Sequence, residues 1–255
     1  MDNSTPSSSL PPKSTQARGG LFPATQWSAI SQARGHGDEQ MKEGLRRLAI
    51  QYWRPLYLYL RKRGDGDADA ADAVQGFFEF ILSSGVMEHV DRDGGKFRSY
   101  LLASLERWRS RRRVHESAQK RGGNVTHVPL DELETMRETM DQQDANISPE
   151  VAYDRQWAME MVARAVAGLK EGYVQRGREQ WFVLLASALP GGGSLRPYTQ
   201  LASELACTEG AVKKAVFDLR TAFAARLREE IRATVRTNED AEEELRHLIS
   251  VMSDL

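Results

Sequence analysis

Residues 198–220 constrain the fold of this chain most strongly, because they specify two short helices joined by a tight turn. Apolar residues recur at helical spacing over 201–205, and a turn follows at 206–208. Thr208 is a good N-cap, and Glu209 in the first turn complements the helix dipole. The buried stripe expected on the second helix comprises Ala211, Val212, Ala215, Val216 and Leu219. We therefore predict a helix-turn-helix.

The second helix of this motif carries cations away from its apolar stripe. Helices of this kind lie in the DNA major groove, where exposed lysines and arginines meet phosphates. The alternative interpretation is an ordinary helical hairpin with solvated lysines. The candidate DNA-contacting residues are Thr208, Glu209, Gly210, Lys213, Lys214, Phe217 and Arg220.

Length and composition exclude several classes of protein. The 255 residues suffice for one large or two modest domains, and the mean hydropathy of −0.54 comes with no apolar run that could span a bilayer. The Ser/Pro-rich start lacks the apolar core of a signal peptide. The single cysteine, Cys207, excludes an internal disulfide framework or cysteine-based zinc site. We expect a cytoplasmic protein with no membrane partner.

The net charge of −1 hides a strong segregation of charge. Residues 22–121 carry about +5 and residues 151–236 about +4, whereas residues 122–150 carry about −6 and residues 237–255 about −5. Two basic blocks separated by an acidic stretch suit a protein that contacts nucleic acid twice. Chance clustering of surface charge is the alternative explanation.

Few stretches alternate like strands, so the predicted class is all-α, in two small helical bundles joined by a flexible acidic linker. The predicted divisions are a disordered segment at 1–21, a first bundle at 22–121, the acidic linker at 122–148, a second bundle with the helix-turn-helix at 149–236, and an acidic C-terminal helix at 237–255.

Apolar spacing and end signals predict the individual helices. Ser148, Pro149 and Glu150 form a strong helix start, and Gly191–Gly193 reads as a flexible hinge. Outside the helix-turn-helix, whose second helix should continue to about residue 231, the predicted helices cover about 25–30, 38–63, 67–82, 97–114, 148 to beyond 169, 178–189 and 238–252.

The helix predicted at 97–113 interleaves arginines with aromatic residues. Cations bind phosphates and aromatic faces stack on unpaired bases, so the pattern suits a partly single-stranded nucleic acid. The alternative is that Tyr100 and Trp108 anchor the core while the arginines are solvated, and for Trp108 we favour the core. The candidate residues are Arg98, Tyr100, Ser104, Arg107, Arg109, Arg111 and Arg112.

Taken together in this order, the segments 69–78, 97–113 and 198–220 resemble bacterial RNA polymerase sigma factors of the extracytoplasmic-function type. The resemblance covers about residues 24–235. It implies that the first bundle docks on core polymerase and recognises and melts the −10 promoter element, and that the helix-turn-helix reads the −35 element. Such a factor is not an enzyme and has no cofactor. The polymerase-binding residues it implies are Asp69, Asp72, Gln75 and Phe78.

One position departs from the family pattern, since Ala71 stands where glutamate is usual. The resemblance therefore implies core RNA polymerase and promoter DNA as partners but puts the strength of docking in doubt. Docking would need help from a tail or a modification, and it stays open whether an anti-sigma factor or a modifying kinase controls the chain. Equal polymerase affinity of the chain and its Ala71→Glu variant would remove this hypothesis.

Two other features have simpler interpretations. The five histidines lie far apart, without metal-binding spacing, so no metal site is predicted. The acidic run 239–244 predicts a solvated helix face, or a shield for the basic recognition helix. The competing functions are a stand-alone helix-turn-helix regulator and a helical interaction protein without DNA contact.

Overall fold

The computed structural model describes residues 38–83, 96–118, 146–235 and 237–253, and within them the fold is all-α. The predicted segment 1–21, the short helix at 25–30 and all but the end of the 122–148 linker lie outside these residues. The α-helices are α1 (Asp38–Lys62), α2 (Asp67–Ser83), α3 (Phe97–Ala118), α4 (Pro149–Gln175), α5 (Glu179–Leu185), α6 (Tyr198–Glu204), α7 (Glu209–Arg232) and α8 (Asn238–Ser253).

The helix starts follow the capping signals in the sequence. Ser148 accepts a hydrogen bond from the Val151 N–H at 3.2 Å, and Pro149 occupies the first helical position of α4. Thr208 likewise accepts from the Ala211 N–H at 3.2 Å at the start of α7. Both predicted caps are therefore confirmed, and α7 continues past residue 231 as expected.

The helix predicted at 178–189 is shorter than expected. α5 ends at Leu185, and a 3-10 helix covers Ala186–Ala188. A Cβ on Gly192 would lie 2.4 Å from the Ala186 carbonyl oxygen, so only glycine fits where the chain crosses this backbone. The predicted hinge at 191–193 is thus a tight turn pressed against the 3-10 helix.

Helix α1 packs along α4 and joins the two predicted bundles. Buried aromatic residues meet there, with the rings of Tyr59 and Tyr153 6.4 Å apart in an edge arrangement. Arg54 and Glu160 add an ion pair at 3.5 Å. Buried side chains from both halves form one continuous cluster, so the arrangement of two separate bundles is not confirmed.

Helices α2 and α3 approach closely at Gly76. A Cβ at this position would lie 3.3 Å from the Trp108 ring, which packs 5.9 Å from Phe77 and 6.5 Å from Phe80. The prediction that Trp108 serves the core is confirmed. Arg109 ties the same helix to the α1–α2 turn through an ion pair of 2.6 Å with Asp65.

Candidate nucleic-acid interface

The turn between α6 and α7 fixes the geometry of the helix-turn-helix. The Cys207 N–H donates to the Ala202 carbonyl at 3.0 Å and the Ala206 N–H to the Ser203 carbonyl at 3.3 Å, which is the Schellman pattern at a helix C-terminus. Ala206 sits in the left-handed conformation, with φ of 49°. An L-residue with a Cβ is strained there.

Replacing Ala206 with glycine should therefore stabilise the protein. The left-handed conformation costs about 1–2 kcal/mol for alanine, and the greater freedom of glycine in the unfolded chain offsets about 0.4–1 kcal/mol of the relief. We expect urea denaturation to show a gain of about 0.5–1 kcal/mol. Ala222→Gly, at an exposed position inside α7, is the matched control, and it should lower the free energy of unfolding by about 1 kcal/mol. A loss of stability in Ala206→Gly would contradict this account.

Helix α7 buries one face and exposes the other. Val212, Val216 and Leu219 point into the core, as predicted, and Ala215 is half-buried. Ala211 is exposed in the first turn, so its place in the predicted stripe is wrong. The opposite side of its first three turns is exposed, and the side chain of Phe217 is 69% accessible there. We call this surface the recognition face, and its exposed residues are Gly210, Lys213, Lys214, Phe217 and Arg220.

Neighbouring groups orient the cations of the recognition face. The Lys213 ammonium lies 5.9 Å from the ring centroid of Tyr198, and Lys214 pairs with Asp218 at 2.7 Å one turn along α7. The Arg220 Nε donates to the Ala188 carbonyl at 3.0 Å, which anchors one edge of its guanidinium. The roles of Tyr198 and Ala188 as partners of these cations were not predicted, because contacts from other elements leave no local signal in the sequence.

The start of α6 is braced by a second arginine. Arg196 and Glu204 form two parallel hydrogen bonds, at 2.9 and 3.1 Å, across the length of this short helix. Paired bonds of this kind hold an arginine in one geometry better than a single bond does. Arg196 therefore links the segment before α6 to the C-terminal end of that helix.

The predicted −10 residues on α3 separate into two groups. From the middle of the helix onward, three of the predicted arginines are exposed, and the Arg112 guanidinium lies 5.4 Å from the Trp108 ring centroid. Toward the N-terminal end, Ser104 is buried and Tyr100 is half-buried against the core. The exposed arginines of the predicted set are Arg107, Arg111 and Arg112.

Arg98 and Arg109 are held by carboxylates in this arrangement. Arg109 pairs with Asp65, as described above. The Arg98 Nε donates to Glu244 of α8 at 2.8 Å, and its Nη1 donates to Asp154 of α4 at 2.6 Å. Carboxylates thus bind Arg98 and Arg109, and Ser104 is buried. In this arrangement none of the three is available to DNA, as the sequence had predicted them to be.

Burial and ion pairing act in opposite directions on Arg98. Desolvation lowers the pKa of its guanidinium, whereas the hydrogen bond with Glu244 and the charge of Asp154 raise it, and the balance lies above the ordinary value. Lys96 behaves similarly. Desolvation lowers the pKa of its ammonium, contacts with Glu243 and Glu244 raise it, and the balance again lies above the ordinary value. Both side chains thus stay cationic inside an acidic surrounding.

The predicted polymerase-binding residues lie on α2 with mixed exposure. Asp69 and Asp72 are exposed, whereas Phe78 is buried in the core and presents no surface to a partner. The Gln75 amide donates to Glu79 at 3.2 Å. Two of the four residues thus form an open acidic surface.

The acidic helix α8 does not cover the recognition face. Glu243 and Glu244 instead pair with cations at the start of α3, and Lys213 and Lys214 are exposed, so the alternative of a shield over these lysines is wrong. Glu244 interrupts the buried stripe formed with Ala241 and Leu248, and a charged residue on such a stripe is the signal that could have revealed its role.

Other kinds of site receive no support from the described part of the chain. No helix within it is both long and apolar enough to cross a membrane. Within the same residues, no group of three or more histidine, cysteine, aspartate or glutamate side chains could hold a metal ion. Compared with known proteins, the chain matches no family model, no curated protein and no solved structure.

Proposed function

We propose that this chain is a sigma-type initiation factor, which binds core RNA polymerase and directs it to promoters. The observation that carries the proposal is the recognition face of α7. Two exposed lysines lie one turn before a largely exposed phenylalanine there, on the helix that follows a Schellman turn and a threonine cap. Lysines at such a face meet phosphates, and an apolar side chain between them suits the methyl group of thymine.

The surface of α2 supplies the second part of the proposal. Asp69 and Asp72 are exposed on a helix remote in sequence from the recognition face, so one chain can contact polymerase and DNA through different elements. The exposed arginines of α3 add a second cationic surface, which we assign to the melted strand of the −10 promoter element. A stand-alone regulator would need the recognition face alone, and the enclosure of Arg98 and Ser104 favours that alternative.

Binding to core polymerase separates the two functions. The Asp69→Lys/Asp72→Lys variant should lose capture by immobilised core polymerase while keeping its affinity for duplex DNA. Glu239→Lys/Glu242→Lys makes the same charge change on the exposed side of α8 and should be captured like the wild type. Failure of the unmodified chain to bind polymerase would favour the stand-alone regulator.

Each lysine of the recognition face should contribute to the salt dependence of duplex binding. If Lys213 and Lys214 each meet one phosphate, replacing either with alanine should lower the slope of log K against log salt by about one. Lys170→Ala removes an exposed lysine from α4 and should leave the slope unchanged. Titration of a labelled duplex at several salt concentrations measures the slope, and unchanged slopes in all three variants would mean that these lysines face solvent.

A further inference from the structure

A set of carboxylates encloses the cations at the start of α3. Glu243 and Glu244 reach them from α8, and Asp154 reaches them from α4. We call these three carboxylates the acidic clasp; the cations that it holds are Lys96 and Arg98. Residues far apart in the sequence thus meet at the helix that the proposed function assigns to the −10 element.

Glu244 holds Arg98 in the geometry that arginine uses for phosphate. The Nε and Nη2 of Arg98 donate to the two carboxylate oxygens of Glu244 at 2.8 and 3.3 Å. A phosphate group presents a similar pair of oxygens to the same edge of a guanidinium. Glu244 is only 1% exposed, so while α8 is docked this edge of Arg98 is closed to a nucleic acid.

Further contacts fix the clasp. Glu243 pairs with Lys96 at 2.8 Å, and this contact lowers the pKa of the Glu243 carboxyl. His247 of α8 lies 3.0 Å from the Asp154 carboxylate oxygen that does not pair with Arg98, so α8 also contacts the member of the clasp that lies on α4. The Tyr153 hydroxyl donates to the Arg98 carbonyl at 2.9 Å.

α8 leaves a groove where it packs on α4 and α7. This largely apolar groove of about 340 Å³, partly open to solvent, runs beside the helix; it is lined by α4, α7, Pro190 and residues of α8 that include Leu245 and Met252. Ile249 is 54% exposed on the same helix. Of its apolar residues α8 fully buries only Ala241 and Leu248, so its ion pairs contribute to its docking beside this packing. A polyanion that competes for Lys96 and Arg98 therefore weakens that docking.

We propose that α8 is an autoinhibitory helix whose clasp competes with nucleic acid for Lys96 and Arg98. This inference rests on the proposed function, because it assigns α3 to the melted promoter strand. In the docked state α3 presents arginines only from its middle onward, beginning at Arg107. Release of α8 frees the guanidinium edge held by Glu244 and the Lys96 ammonium for phosphates.

The first test compares two variants with the same change in net charge. Glu243→Gln/Glu244→Gln opens the clasp, and Glu239→Gln/Glu242→Gln alters exposed residues of the same helix. The probe is a fluorescent 20-nucleotide single strand of mixed sequence. We expect the clasp variant to bind about tenfold more tightly than the control, within the usual range of coupling between sites. Its salt slope should be steeper by about 0.7 for each phosphate gained.

Equal affinity of the two variants for the single strand would overturn the inference. A duplex probe of the same length, bound through the recognition face, should show no difference between them. Neither measurement involves polymerase. Failure of the autoinhibition proposal can therefore be distinguished from failure of the chain to bind polymerase.

The second test uses the unmodified chain, so it does not depend on the folding of a variant. Competition is reciprocal: if docking of α8 weakens nucleic-acid binding, nucleic acid must weaken the docking of α8. Hydrogen exchange of the α8 amides should therefore become faster when the single strand is saturating. Unchanged or slower exchange in α8 would contradict the proposal.

Discussion

Replacing Trp157 with alanine is expected to lower the free energy of unfolding by about 3–5 kcal/mol, the usual cost of deleting a large buried aromatic side chain. Trp157 is 1% exposed on α4. The Arg98 guanidinium lies 5.0 Å from its ring centroid and the His247 ring lies 6.1 Å away. Its loss would remove packing from α4, α3 and α8 together.

Urea denaturation followed by far-ultraviolet circular dichroism measures this effect. Met159→Ala is the matched control, because Met159 is 44% exposed on the same helix and its removal should cost under about 1 kcal/mol. Similar small losses of free energy of unfolding for the two substitutions would contradict the burial of Trp157 between these helices.

The second large effect is expected from Arg98→Ala. Removing one partner of a buried ion pair leaves the other charge without its solvation, which typically costs 3–5 kcal/mol. Glu244 would be left almost fully buried, with Lys96 3.4 Å away as a remaining cation. We therefore expect a loss of about 3 kcal/mol, at the low end of that range.

A double variant distinguishes the ion pair from simple loss of packing. Replacing both partners with apolar residues removes the unpaired charge, so Arg98→Met/Glu244→Leu should be more stable than Arg98→Ala. The free energies of unfolding of the wild type, the single variants and the double variant complete the cycle. Additive losses would show that Arg98 and Glu244 are not coupled.

Local signals predicted most of the described helices and, most sharply, the starts of α4 and α7. Ser148 and Thr208 cap α4 and α7 because a short side-chain oxygen reaches an N–H three residues on, which depends on nothing outside the segment. The recognition face was likewise predictable, since a helix with a buried stripe must expose the opposite side. Lys213, Lys214 and Phe217 are exposed as the spacing indicated.

Long-range contacts escaped prediction because they join residues far apart in the sequence. Arg98 looks like its neighbouring arginines until α4 and α8 fold against it, and Asp154 and Glu244 give no sign of their target. The packing of α1 on α4 was missed for the same reason. Periodicity identifies which face is apolar, but not which helix will cover it.

The proposed function requires that this chain give core RNA polymerase its promoter specificity. Run-off transcription with purified core polymerase on a library of genomic fragments from the organism of origin tests it most directly. We expect discrete new transcript starts when the chain is added, and we expect the Lys213→Ala/Lys214→Ala variant to lose them. Identical transcripts with and without a folded chain that binds duplex DNA would contradict it.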